Sequence, residues 1–171
     1  EVAQEIGSDV PLFLYGSISY LEGRGEKVVS YRAVAPACLL IVKPGFNVST
    51  AWAYNNFQPS QPIGVNSCRD SDLTKKADKD DNIRHFISKI SKAEVSDIAD
   101  YIFNDLETVT SKRYPLIAEI KDRLLAHGAV AALMSGSGSA VFGVFESPAK
   151  AEDVAKSFTG FWTAAVKTIT D

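Results

Sequence analysis

Hydrophobic and polar positions in the first third of the chain follow the short periods of β-strands. Residues 10–15 form an apolar run typical of a buried strand, and residues 17–22 alternate in a way that favours a hairpin partner for it. A tight turn at Gly23-Arg24-Gly25-Glu26 leads into a further strand at residues 27–31. We therefore expect a strand-rich segment at the beginning of the chain.

A second region begins with the apolar run at residues 37–42, which predicts a strand that ends before Pro44-Gly45. Ser49-Thr50 is a typical N-cap pattern and predicts a short helix over residues 51–55. Residues 58–82 have no apolar period and contain prolines and a dense run of Asp and Lys, so they predict a long loop.

The pattern changes to a helical period between residues 83 and 127, and Gly128 follows as a C-terminal cap. Three apolar faces carry this period, and the members of the third are Leu116, Ile117, Ile120, Leu124 and Leu125. This part of the chain is therefore expected to consist of helices.

The last third predicts strands at residues 129–134 and 140–145, a helix that opens at Ser147-Pro148 and reaches about residue 158, and a final strand at 161–169. From Leu39 onward the order is strand, helices, strand, strand, helix, strand. This is the split βαβ order of a ferredoxin-like sandwich, so the predicted fold class is α+β. The order by itself assigns no function, because this fold hosts many.

The predicted elements divide the chain into two parts. Residues 37–171 make up the ferredoxin-like domain, and residues 1–36 are interpreted as the C-terminal remnant of a preceding domain. Residues 1–7 have the pattern of the last turns of a helix with a glycine cap, without an initiator Met, which indicates that further sequence precedes them. Strand edges left exposed in residues 1–36 are expected to promote self-association.

Composition narrows the classes of partner. The 171 residues are 46% hydrophobic and carry a formal net charge of −3, which argues against a nucleic-acid partner. No apolar run approaches the ~18–20 residues of a membrane span. The two cysteines, Cys38 and Cys68, form no CxxC pair, so we expect neither a zinc site nor a disulfide, and a reduced cytoplasmic location.

A run of small residues, Ser135 to Ser139, stands between the two strands predicted near residue 140. Alternating Gly and Ser permit positive φ angles and leave successive N–H groups uncovered, and such groups form a concave nest for a phosphate. The alternative is an ordinary hairpin turn. Five small residues exceed what a two-residue hairpin needs, which favours anion binding, although the Lys and the spacing of a Walker loop are missing.

Two further positions carry candidate chemistry. Asp9 lies in a loop between a glycine-capped helix end and a buried strand, where a carboxylate can take a proton from a substrate hydroxyl. The alternative is an Asp that binds its own turn, and the local sequence alone favours the turn. Trp52 and Tyr54, on the predicted short helix, suit either the core or stacking on a base, and the core is the simpler interpretation.

Five segments occur together in one known family, in the same order and at comparable spacings. They are Ile6–Phe13, Gly23–Glu26, Lys43-Pro44 with Val48–Thr50, Asn104–Glu107, and Ser135–Phe142. On these residues the chain resembles the 4-diphosphocytidyl-2-C-methyl-D-erythritol kinases of the GHMP small-molecule kinase superfamily. The resemblance covers nearly all of the chain, and Gly7–Pro11 with the Gly-Arg-Gly-Glu turn is its most specific part.

The resemblance implies a reaction and its residues. Asp9 matches the catalytic Asp that accepts the proton of the substrate's 2-hydroxyl as this oxygen attacks the γ-phosphate of ATP, with Mg²⁺ offsetting charge. Thr50 and Tyr54 match positions that approach the cytidine of a cytidine diphosphate derivative. Gly136, Ser137, Gly138 and Ser139 match the third superfamily motif, which lies against the nucleotide-phosphate loop, and are the expected cofactor-binding residues. The pathway implied is non-mevalonate isoprenoid precursor biosynthesis.

One part of the family pattern is missing. The family carries a Gly-rich loop with Ser-Ser and a lysine, and neither precedes Asp9 in this sequence. The chain is therefore expected to be a C-terminal portion that does not phosphorylate by itself. Two alternatives stay open: another GHMP kinase acting on homoserine, mevalonate or a sugar, against which the Gly-Arg-Gly-Glu turn argues, and a non-enzymatic ferredoxin-like binding module.

Overall fold

A computed structural model describes residues 18–22, 27–31, 36–58 and 102–168. Several predictions lie outside these ranges and stay predictions. They are the strand at 10–15, the catalytic role of Asp9, the turn at 23–26, nearly all of the loop at 58–82, and the helical pattern of residues 83–101.

The first described elements form a two-stranded antiparallel ribbon. Strand β1, Ile18–Glu22, pairs with strand β2, Lys27–Tyr31, in a register that runs from Ile18 opposite Tyr31 to Glu22 opposite Lys27. The structure confirms the strands predicted at residues 17–22 and 27–31. The pairing between β1 and residues 10–15 concerns residues outside the described ranges.

The second group of strands forms a four-stranded sheet. Its members are β3 (Cys38–Lys43), β4 (Ala131–Met134), β5 (Val141–Phe145) and β6 (Trp162–Lys167). Their order across the sheet is β4-β5-β3-β6, and β5 runs antiparallel to both β3 and β4. Strands β3 and β5 are therefore central, and strands β4 and β6 lie at the edges of the sheet. This order confirms the predicted ferredoxin-like arrangement.

Four helices belong to the described residues: α1 (Thr50–Asn56), α2 (Glu107–Arg113), α3 (Leu116–Ala126) and α4 (Pro148–Ala155). The predicted caps are confirmed, since Ser49 Oγ accepts from Trp52 N at 3.3 Å and Ser147 Oγ accepts from Lys150 N at 3.3 Å. Helix α4 ends at Ala155, about one turn earlier than predicted.

The helical pattern predicted over residues 83–127 is interrupted at two described places, the first of which includes Ile102 and Phe103 of the second predicted face. Residues 102–106 precede α2 without forming a helix, and Tyr114-Pro115 separates α2 from α3. Proline restricts the residue before it to extended backbone, and Tyr114 has φ −128° and ψ 79°. The third apolar face of the sequence, which begins at Leu116, starts directly after this break and forms α3.

The core lies between one face of the sheet and helices α3 and α4. Helix α3 packs on β4 and β5, and α4 packs on β3. At Gly143 a Cβ atom would lie 3.2 Å from Leu124 Cδ2, so the absence of a side chain lets α3 approach the sheet. The wholly buried residues of this core include Leu40, Val42, Ile117, Ile120, Leu124, Val141 and Phe145.

The chain separates into two compact units, one of residues 37–166 and one of residues 1–36 with 167–171. The interpretation of residues 1–36 as the remnant of an ATP-binding domain stays a prediction. Among the helices that the structure describes, none has the length and apolar character needed to cross a membrane.

Candidate functional site

The Ser-Gly loop, residues 135–139, connects β4 to β5 and depends on glycine. Gly136 has φ +56° and Gly138 has φ +90°, both in the left-handed region that side chains disfavour. A Cβ atom at Gly138 would also lie 2.8 Å from Met134 Sδ. The peptide bond between Gly138 and Ser139 is cis. The small residues noticed in the sequence are thus required by backbone conformation and by close packing.

Some N–H groups of the loop are bound within it, and others have no partner in the part of the chain that the structure describes. Ser135 N donates to Ala140 O at 2.8 Å, and Gly138 N donates to Ser135 O at 3.0 Å, which closes the turn. The N–H groups of Gly136 and Ser137 have no hydrogen-bond partner among the described residues, and these residues are exposed and half-buried respectively. Two adjacent available donors of this kind suit an anionic oxygen.

The loop's hydroxyl groups connect it to the segment before α1. Ser139 is 2% exposed and its Oγ donates to Phe46 O at 2.5 Å, so this hydroxyl is already engaged within the protein. Ser137 Oγ and Thr50 Oγ1 share a hydrogen bond at 2.9 Å. The structure therefore brings together Thr50 and the loop, two predicted site elements that are 87 residues apart in sequence.

Side chains from the segment around α2 hold the other side of the loop. Asn104 Nδ2 donates to Met134 O at 2.8 Å and to Gly136 O at 2.7 Å. Glu107 Oε2 accepts from Met134 N at 2.8 Å, and its other oxygen pairs with Lys121 Nζ. Thr110, wholly buried, directs its hydroxyl toward Ser137 O at 3.4 Å.

Sequence reasoning missed these supporting residues. Asn104–Glu107 entered only as one of the segments that carry the resemblance, without a role for any side chain. Their partners lie 27 to 32 residues away, so no local pattern identifies them.

The two aromatic residues of α1 differ in environment. Trp52 is half-buried against the core and meets the Tyr114 ring edge-on with centroids 6.0 Å apart, which confirms the core interpretation for Trp52. The same interpretation is wrong for Tyr54, which is 64% exposed. A short helix turns successive side chains by about 100°, so positions 52 and 54 lie on different faces.

Tyr54 borders a groove of about 530 Å³ that reaches the Ser-Gly loop. The groove has apolar and aromatic walls with a few polar groups, the mixture that small-molecule sites typically present. Its lining includes Tyr54, Phe57, Phe103, Asn104, Asp105, Leu133, Ser135, Gly136 and Phe142. The structure thus places Tyr54 and Gly136, both predicted site residues, along one depression.

Metal ligation is not provided by the described residues alone. Within ranges 18–22, 27–31, 36–58 and 102–168, no three His, Cys, Asp or Glu residues cluster closely enough to hold an ion. Asp9, the predicted catalytic residue, lies outside these ranges.

Residues 83–164 match the family described as GHMP kinases C terminal. The chain contains a GHMP kinase C-terminal domain. The matched range includes α2, α3, β4, the Ser-Gly loop, β5 and α4, which are the elements that build and support the loop.

Two curated relatives extend the similarity over nearly all of the chain. The 4-diphosphocytidyl-2-C-methyl-D-erythritol kinase of Geobacter metallireducens is 42% identical over 159 residues, which is 93% of this chain and 50% of the relative. The kinase of the same name from Thermodesulfovibrio yellowstonii is 36% identical over 172 residues, covering 100% of this chain and 56% of the relative. The chain therefore spans about half the length of these relatives.

Solved structures agree on the fold. A crystal structure of 4-(cytidine 5'-diphospho)-2C-methyl-D-erythritol kinase matches with a TM-score of 0.71 and 26% identity, over 98% of this chain and 56% of that chain. A homoserine kinase from Cytophaga hutchinsonii matches with a TM-score of 0.64 at 19% identity, over 94% of this chain and 50% of that chain. The second likeness concerns the fold alone.

Proposed function

We propose that the protein to which this chain belongs transfers the γ-phosphate of ATP to the 2-hydroxyl of 4-diphosphocytidyl-2-C-methyl-D-erythritol, a step in non-mevalonate isoprenoid precursor biosynthesis. The names of relatives at 36–42% identity support this acceptor. The GHMP kinase domain supports ATP as the phosphate donor.

The contact between Thr50 and Ser137 is the observation that carries the proposal. It joins the helix expected to approach the cytidine to the loop expected to approach the phosphates, through a hydrogen bond of 2.9 Å. A kinase needs its acceptor and donor sites side by side, because catalysis of phosphoryl transfer is chiefly positioning and electrostatic stabilisation. A simple hairpin turn needs no such contact.

In this proposal each site residue has a defined task. The N–H groups of Gly136 and Ser137 bind phosphate oxygens, and Gly138 provides the positive φ that turns the loop. Ser139 contributes by anchoring the loop on Phe46 O. Thr50 and Tyr54 contact the cytidine portion, with the exposed Tyr54 ring as a stacking surface.

Asp9 and Mg²⁺ complete the proposal from the resemblance. Asp9 accepts the proton that leaves the 2-hydroxyl as its oxygen bonds to the γ-phosphorus, and ADP departs with the electrons of the broken P–O bond. Mg²⁺ supplies positive charge to the phosphates when it is bound. The described residues offer no carboxylate cluster for it, so it remains a prediction of the resemblance.

The test uses the complete protein encoded by the reading frame that contains this chain. With ATP and 4-diphosphocytidyl-2-C-methyl-D-erythritol we expect ADP release and a phosphorylated product, and the Asp9→Asn variant is expected to lose activity by a factor of about 10² or more. The 171 residues alone are expected to be inactive, since the relatives are about twice as long.

Other outcomes of the same assay contradict the proposal. Turnover with homoserine, mevalonate or a sugar in place of the cytidine compound identifies another GHMP kinase. A complete protein that neither turns over any of these acceptors nor binds ATP is a binding module. ATP-dependent turnover by the purified 171-residue chain contradicts the expectation that this portion is inactive by itself.

A further inference from the structure

We propose that Asn104 and Glu107 are positioning residues that orient the Ser-Gly loop so that its free N–H groups face the phosphate, with Lys121 holding Glu107 in place. This inference rests on the proposed function for the identity of the anion. The positioning role itself is inferred from the geometry of the peptide groups, and none of these three side chains needs to touch the ligand.

The first step concerns Met134, the last residue of β4. Its carbonyl accepts from Asn104 Nδ2 at 2.8 Å, and its N–H donates to Glu107 Oε2 at 2.8 Å. Both polar groups of the residue that leads into the loop are therefore bound by side chains that precede or begin α2. The direction in which the chain leaves the sheet depends on these two bonds.

The second step concerns the orientation of the free donors. A trans peptide group is planar, and its C=O and N–H point in opposite directions. Asn104 Nδ2 binds Gly136 O at 2.7 Å, so the N–H of Ser137, on the same peptide plane, points away from Asn104. Ser135 O is bound by Gly138 N at 3.0 Å, so the N–H of Gly136 points away from the inside of the turn.

The third step concerns the choice of side chain at position 104. The Asn104 amide group donates twice through Nδ2, and its Oδ1 accepts from Leu106 N at 3.0 Å. Only one orientation of the amide satisfies all three bonds. An aspartate would keep the bond to Leu106 N but would place a carboxylate oxygen against two carbonyl oxygens, which repels both.

The fourth step concerns charge. Glu107 and Lys121 have side-chain exposures of 14% and 26%, so the carboxylate is largely removed from water. Its pairing with Lys121 offsets the cost of that desolvation and leaves the second oxygen free to accept from Met134 N. Lys121 acts on the loop through Glu107, from helix α3.

Kinetics of the complete protein test the inference. Asn104→Asp is expected to raise the KM for ATP about tenfold or more, as befits two lost hydrogen bonds, and to change the KM for the acceptor by less than about twofold. Asn56→Asp is the matched control: it removes an amide-to-carbonyl bond of 2.9 Å, to Trp52 O, at the end of α1. The control is expected to leave the KM for ATP unchanged.

Hydrogen exchange gives a readout that needs no activity. In Asn104→Asp, the amides of Ser135 and Gly138 are expected to exchange about tenfold faster or more, because the turn they close loses its support. The Ala151 amide of α4 serves as an internal reference and is expected to keep its rate. If Asn104→Asp does not fold, Lys121→Met replaces it, with Lys156→Met, which breaks an exposed ion pair of 3.4 Å to Asp153, as its control.

The outcomes separate the two proposals. Faster loop exchange in a protein without ATP-dependent turnover rejects the proposed function and keeps the positioning role. Normal turnover with unchanged loop exchange and an unchanged KM for ATP in the variants overturns the positioning role alone. A KM for ATP and a KM for the acceptor that rise together also overturn it, since a general loss of structure explains that pattern.

Discussion

The Ser-Gly loop and helix α1 border the same groove but are built in opposite ways. The loop is held by side-chain hydrogen bonds from residues far away in sequence, including Thr50, Asn104 and Thr110, and Ser139 is almost wholly buried. Helix α1 instead presents Tyr54 with 64% of its surface exposed. One wall is formed before a ligand arrives, and the other offers a ring that is free to adapt.

This difference suits the two ligands of the proposed reaction. A phosphate is recognised by oriented N–H groups, and orientation is effective only when the protein has fixed it in advance. A base is recognised largely by stacking, which tolerates adjustment of the aromatic side chain. Substitutions in the loop are therefore expected to affect stability and ATP binding together, whereas substitutions at Tyr54 affect only the acceptor.

The largest effect is expected from Gly138→Ala. The added methyl group meets Met134 Sδ at 2.8 Å with φ at +90°, and strain and overpacking together are expected to cost about 2–4 kcal/mol of unfolding free energy. Urea denaturation of the complete protein, with loop hydrogen exchange as a local readout, measures this loss.

Two glycines provide matched controls for that substitution. Gly136→Ala has φ at +56° and no atom within 4 Å, so it carries the backbone strain alone and is expected to cost about 1 kcal/mol. Gly45→Ala has neither a positive φ nor a close neighbour and is expected to be nearly neutral. Equal losses at positions 138 and 45 would show that the loop is not closely packed.

The second-largest effect is expected from Tyr54→Ala. Loss of a stacking surface is expected to weaken acceptor binding by about 1–3 kcal/mol, a factor of about 5–150 in KM, while the unfolding free energy changes by less than about 0.5 kcal/mol. Tyr54→Phe keeps the ring and is expected to keep the affinity. Acceptor titrations and denaturation curves of both variants measure the two quantities.

Tyr114→Ala tests a half-buried aromatic residue for comparison with the exposed Tyr54. The Tyr114 ring is half-buried and stacks on Phe46 with centroids 4.9 Å apart, so its removal is expected to lower stability rather than acceptor affinity alone. If Tyr54→Ala lowers the stability and leaves acceptor binding intact, Tyr54 supports the fold and is not the adaptable side of the groove.

The smallest effect is expected where the two walls meet. Thr50→Val removes the hydroxyl that bonds Ser137 and is expected to lower kcat/KM by the equivalent of about 1 kcal/mol. Thr50→Ser keeps a hydroxyl group and is expected to retain most of the wild-type kcat/KM. A double-mutant cycle with Ser137→Ala measures the coupling. Additive losses in that cycle would mean that the contact does not join the two sites.

The predictable parts of the fold were those with local causes. The strands β1 and β2, the Ser49 and Ser147 caps, and the glycine after α3 each follow from neighbouring residues. The break at Tyr114-Pro115 also has a local cause, the proline, and the third apolar face of the sequence begins directly after it.

The candidate site was predictable only in part. The small residues of the loop and the presence of Thr50 could be recognised as chemistry, but their hydrogen bond spans 87 positions. Asn104 could not be distinguished from any other loop asparagine, since its partners are main-chain carbonyls that carry no side-chain signature. The exposure of Tyr54 and the burial of Trp52 likewise depend on what packs against α1.

The sequence by itself determined which segments form strands, helices and turns, and which short runs have the residues for binding an anion. These properties depend on backbone preferences and on the periods 2 and 3.6 along the chain. Only the tertiary structure decided which groups remain free to bind a ligand. The pairing of β3 with β5 brings residues 46–50 to residues 135–139, and side-chain hydrogen bonds attach residues 104–110 to the same loop. These contacts engage some polar groups of the loop, and the N–H groups of Gly136 and Ser137 have no partner among the described residues.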